Sequence, residues 1–147
     1  MAKYDVTFSC GHTAVVELFG KEKDRDTKIK WYGEYALCPD CYKAAREAEL
    51  KDRAKENNLP ELEGSEKQIK WANRLRDEFF SLLENHYSGI RAKCPEEQLA
   101  ALDDVNQKYH NYFAGKTSAK WWIESRDKSL KTIMKEARQE IEKGVSQ

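Results

Sequence analysis

Along the first 41 residues, hydrophobic and polar positions alternate in short runs. Tyr4, Val6 and Phe8 fall on one side of a period-two pattern, and Ala14 to Phe19 is again rich in strand formers. Two strands are predicted, with Cys10-Gly11-His12 as the turn between them. The stretch GKEKDRDTKIK at 20–30 is charged almost throughout and reads as an exposed loop, and WYGEYAL leads from it into a second cysteine-bearing segment.

From Pro39 onward the apolar period becomes that of helices, and four are predicted at 39–57, 65–93, 95–114 and 118–143. The second opens with Ser65 followed three residues later by Gln68, the spacing of a capping box. Pro95 restarts the chain after Cys94, with Glu96 and Glu97 placed to favour the positive end of the next helix. Ile69, Ala72, Phe79 and Leu83 form a seam on the second helix that also contains Arg76. On the fourth, Trp122, Ile123 and Leu130 form a seam containing Arg126, and Ile133, Met134, Ala137 and Ile141 continue the stripe. NNLPELEG at 57–64 reads as the hinge between a module at 1–57 and a helical domain at 58–147. The expected fold is α+β and mainly α: a small β-rich module followed by an antiparallel helical domain.

Charge narrows the range of partners. Of the 147 residues, 26 are basic and 26 acidic. The balance holds regionally, with 11 and 11 over 1–58, 6 and 8 over 59–98, and 9 and 7 over 99–147. A protein that binds duplexes mainly through phosphates carries a clearer positive surplus. No apolar run approaches the length of a membrane span, so no membrane partner is expected. The start MAKYDVTFSC lacks the apolar core of a signal peptide, and a cytoplasmic, reducing location without structural disulfides is the expectation.

The chemistry concentrates in two short stretches. FSCGH at 8–12 and LCPDC at 37–41 hold three of the four cysteines and one of the three histidines. Thiolates and imidazole are the ligands a tetrahedral zinc ion takes, and Cys10, His12, Cys38 and Cys41 supply four. With four protein ligands no position stays open to water or substrate, so one structural Zn2+ per chain is expected. A redox Cys-x-x-Cys and unrelated buried cysteines are the competing readings; the first calls for a βαβ setting and no second Cys/His pair. Cys94 stands alone at a helix end. These pairs, one at a hairpin turn and one at a helix start, resemble the treble-clef and zinc-ribbon families over about the first 50 residues. The Cys-x-His pair departs from the commoner Cys-x-x-Cys spacing, which makes His12 the unusual ligand.

Catalytic machinery is absent from the pattern. His86 and His110 lie near faces dominated by aromatic and aliphatic residues and read as packed or surface histidines. Nothing resembles a phosphate-cradling glycine loop or a nucleophile elbow.

Two helical segments, GSEKQIKWANRLR at 64–76 and AKWWIESRD at 119–127, carry more tryptophan and arginine than a solvated helix needs. They read either as two faces of one core or as a patch in which Trp71, Arg74, Arg76, Trp121 and Arg126 meet a partner, because Trp and Arg dominate interface hot spots. Trp121 and Trp122 point about 100° apart on a helix, and Trp122, on the side of Ile123, Leu130 and Ile133, is expected to be the core residue. Together with the knuckle, GSEKQI-x-WA and A-K-x-W-I-x-x-R resemble small, largely uncharacterised proteins of bacterial, prophage and mobile-element genomes. That resemblance implies a mobile-element context and no activity.

The function expected is therefore a non-catalytic, zinc-stabilised binding protein, a phage or mobile-element accessory factor that engages a host protein complex, a defence complex among the candidates. Nucleic-acid binding is the alternative, through the zinc module and Lys21, Lys23, Arg25, Lys28 and Lys30, although Glu22, Asp24 and Asp26 interrupt that run. An enzyme or enzyme subunit is the second alternative.

Overall fold

The computed structural model describes residues 2–145 and is mainly helical, with one small antiparallel sheet. Its contacts divide the chain into two units, residues 1–49 and 50–147.

In the first unit β1 (Ala2–Thr7) pairs antiparallel with β2 (Thr13–Leu18), with Tyr4 opposite Val16 and Val6 opposite Ala14. The alternation puts Val6 and Phe8 inside, at 1% and 5% exposure, as the period-two reading requires. The charged stretch 20–30 is not a loop. Residues Glu22–Tyr35 form a helix, α1, with Glu22 and Asp24 in its first turn. The reason lies in its less exposed face: Arg25, Ile29, Tyr32 and Ala36 recur at i, i+4, i+7 and i+11. Ile29, Tyr32 and Ala36 pack on the sheet's inner side, Tyr32 against Phe8 at 5.4 Å between ring centroids. Arg25 lies over the Tyr4 ring at 5.7 Å. Only two of these positions are strongly apolar in character, too few for the pattern to stand out among eleven mostly charged neighbours. α2 (Pro39–Glu56) then starts on the second cysteine pair and buries no residue.

In the second unit α3 (Glu66–Lys93) is the spine. Its start is the capping box expected from sequence: Ser65 Oγ accepts from the Gln68 N–H, and Gln68 Oε1 accepts from the Ser65 N–H. Its buried face carries Ala72, Arg76, Phe79, Phe80 and Leu83. After Cys94 caps α3, a short 3-10 turn (Glu96–Gln98) leads into α4 (Leu99–Ala114).

The fourth predicted helix is broken in two, α5 (Ala119–Glu124) and α6 (Leu130–Val145). Ser129 decides the break, because its Oγ accepts from the Thr132 N–H and so caps a new helix. The core joins Phe79, Phe80, Phe113 and Trp122, with Phe79 to Phe113 at 4.6 Å and Phe79 to Trp122 at 5.4 Å, closed by Leu62, Ala119, Ile133 and Ala137.

Residues 57–64 are pinned and do not form a hinge. Leu62 is buried, the Pro60 carbonyl accepts from Arg76, and Glu63 makes a parallel bridge with Ser118. Gly64, at φ +151°, is where a Cβ would come within 3.1 Å of the Ala119 Cβ, so the starts of α3 and α5 touch at a glycine. The division expected at residue 57 accordingly falls earlier, inside α2.

Candidate metal centre

The first unit brings Cys10, His12, Cys38 and Cys41 together, with one ligand atom from each and all four within 4.8 Å of one another. Three local features produce this. Gly11, at φ +83°, turns the chain sharply between Cys10 and His12. The loop closes through Phe8 N–H to His12 O and Gly11 N–H to Phe8 O, both 2.9 Å. Ser9 then ties the knuckle to the second pair, since both its N–H and its Oγ donate to Ala36 O, at 2.9 and 2.7 Å.

Two of the ligand-to-ligand separations match the edges of a tetrahedral ion's coordination shell. At metal–ligand distances of about 2.0 to 2.3 Å the edges of a tetrahedron measure roughly 3.3 to 3.8 Å. His12 Nδ1 lies 3.2 Å from Cys41 Sγ and 3.7 Å from Cys38 Sγ. Cys10 Sγ accepts from the Cys38 N–H and Cys38 Sγ from the Cys41 N–H, each at 3.4 Å. Such N–H donors favour thiolates. The Cys10 thiol is pulled down to about 6, first by the backbone N–H of Cys38 and then by that of His12. Cys41 is pushed up to about 11, first by its hydrogen bond with the Cys38 side chain and then by burial. Thiols this close compete to hold a negative charge, and a bound cation relieves that competition. Among the described residues this is the only group of three or more Cys, His, Asp or Glu side chains placed to hold a metal ion.

Ser9 and Ala36 were not legible as part of the site. Nothing in a lone Ser or Ala signals a bond across 27 residues.

The Trp and Arg residues of the two helical segments separate into different environments. Trp122 is 3% exposed and its indole N–H donates to Lys116 O at 2.9 Å. Trp121 is half-buried against the core's edge. Arg76 does sit in the apolar seam, but it is 4% exposed and spent on Pro60 O at 2.6 Å and Asn73 Oδ1 at 3.3 Å. Burial lowers its pKa from the ordinary value. It closes the core over the 57–64 segment and has no surface to offer a partner, which corrects its place in the patch.

Arg126 departs from the seam in the opposite sense. Because the helix ends at Glu124, Arg126 is exposed, bonded to Ile123 O at 2.7 Å and stacked over the Trp71 ring at 5.2 Å. Trp71 itself is 41% exposed. Arg74 is exposed too, 3.9 Å from Glu78. Trp71, Arg74 and Arg126 thus lie at the surface, with Trp121 at its edge.

His86 is exposed and His110 is half-buried with its ring 5.3 Å from Phe80. No described helix is long and apolar enough to cross a membrane. No protein family, curated protein or solved structure gives a significant match to the chain.

Proposed function

We propose that this is a non-catalytic binding protein whose first unit is held together by one structural zinc ion. The observation that carries this is the Cys3His ligand set drawn within 4.8 Å. Three soft thiolates and an imidazole select zinc over hard cations, and four protein ligands leave no coordination position for a substrate. Because the second pair sits at the start of α2 and not in a second hairpin turn, the module is of treble-clef type in preference to a ribbon.

Binding is supported by the exposed Trp71 stacked beneath Arg126, both from the segments whose composition is that of an interface. A protein partner fits better than nucleic acid because acidic and basic residues balance. The resemblance of the knuckle and the two helical signatures to prophage and mobile-element proteins suggests an accessory factor acting on a host protein complex.

Purified protein should carry about one zinc per chain by elemental analysis, and Cys38→Ser or Cys41→Ser should lose it. A folded, metal-free first unit would defeat the zinc assignment. For the partner class, mixed-sequence DNA and RNA should bind weakly and with a steep loss on adding salt; tight, salt-resistant binding would turn the reading to nucleic acid.

A further inference from the structure

An open slot of about 130 Å3 in the second unit lies beside the surface patch, with Arg126 on its rim. Its buried wall is Phe79, Trp122 and Ile133, and its more exposed wall is Leu75 and Leu82, the latter 56% exposed. An engineered apolar cavity of about 150 Å3 is large enough to bind benzene. The slot therefore has room for one aromatic ring and little else.

Ser125 makes it more than an apolar dent. It lines the slot at only 8% exposure, and its hydroxyl makes no hydrogen bond to any described residue. Nor is that oxygen among the fully sealed polar atoms. The oxygen therefore keeps some solvent access, and a ligand that covered it without offering a hydrogen bond would strand it. A ligand seated in the slot would have to carry a polar group to meet it.

We propose that this slot receives a single tyrosine side chain of the partner protein: its ring lies against Phe79, Trp122 and Leu82, and its phenol group exchanges a hydrogen bond with Ser125. Phenylalanine would fill the volume and leave the serine unpaired. Tryptophan, with its larger bicyclic ring, exceeds the space. Trp71 and Arg126 continue the contact outside the slot, as the packed surround that keeps water from an anchor residue. The assignment rests on the protein-binding reading above, but its first test needs no partner.

The test is a titration of the zinc-loaded protein with p-cresol, the tyrosine side chain, and with toluene, the phenylalanine side chain, following the indole N–H signals of Trp121 and Trp122 by NMR. Both should shift, with p-cresol binding on the order of 1 mM and about three- to tenfold tighter than toluene. Ser125→Ala should abolish that preference and keep toluene binding. Leu82→Arg, at an exposed position, should weaken both compounds with unchanged circular dichroism. N-acetyl-tyrosinamide should bind at least as well as p-cresol. Unmoved indole signals, or equal affinity for the two compounds, would overturn the slot as a phenol site. Binding of p-cresol with exclusion of N-acetyl-tyrosinamide would overturn the partner tyrosine in favour of a free phenol. Loss of zinc or of partner capture, by contrast, would strike the underlying reading and leave the titration result standing.

Discussion

The two units solve the same problem with different means. The first has few buried side chains, Val6, Phe8, Leu18 and Cys38, and one of those belongs to the Cys/His cluster. The second joins ten buried residues in one cluster around Phe79, Phe80, Phe113 and Trp122. A core as small as the first offsets little of the entropy of ordering its chain, and the Cys/His cluster that ties hairpin to helix could hold a metal ion that supplies the rest. The larger core needs none. The surface differs accordingly: the small unit leaves Phe19, Trp31, Tyr35 and Tyr42 more than half exposed, whereas the second draws most of its aromatics inward.

The largest expected effect is on this division. Zinc-finger peptides gain about 10 to 16 kcal/mol from the metal. Stripping zinc with a chelator, or the Cys38→Ser change, should collapse amide-exchange protection over residues 2–49 while α3 to α6 stay protected. Uniform loss across the chain would show that the units share one stability.

Within the second unit, Trp122→Ala should cost roughly 3 to 5 kcal/mol in a denaturant melt, since it empties space against Phe79 and Phe80. Trp121→Ala should cost less. A reversed order would move the core's centre to the wrong side of α5.

Arg76→Met should cost on the order of 2 kcal/mol, because it keeps the packing of the stem but removes the charged donor bonded to Pro60 O and Asn73 Oδ1. The same melt measures it, and a neutral result would show that the 57–64 segment stands without this tie.

Smallest in stability is Trp71→Ala, which removes a half-exposed ring and one cation–π contact worth about 0.5 to 1 kcal/mol. Its expected signature lies elsewhere, as a loss of about 2 kcal/mol in affinity for the partner, read by calorimetry. A strong destabilisation with unchanged affinity would return Trp71 to the core.

How far the sequence could be read depended on whether the deciding interaction was local. The Ser65 and Gln68 box is three residues wide, and both ends of it are visible as letters. The ligand quartet was legible because Cys and His are rare here and pair at short spacings, even though the pairs are distant from each other. α1 was misread as a loop because its less exposed face rests on Ile29 and Tyr32 alone, and only the sheet it meets makes that face sufficient. Arg126 was misplaced because the Ser129 cap that ends the helical phase counted for less than the apolar period running across it.

By itself, the sequence determined the two strands, the capped start of α3, the aromatic seam and the grouping of Cys10, His12, Cys38 and Cys41, since each follows from side-chain period or from ligand chemistry. Only the tertiary structure decided that Arg76 is sealed on Pro60 while Arg126 stacks in the open on Trp71, that residues 57–64 are pinned, and that Ser125 lines a slot beside Trp122. Those outcomes depend on which surfaces meet across tens of residues. The solvation of an arginine or a serine is fixed by what closes over it, and no local pattern of letters carries that information.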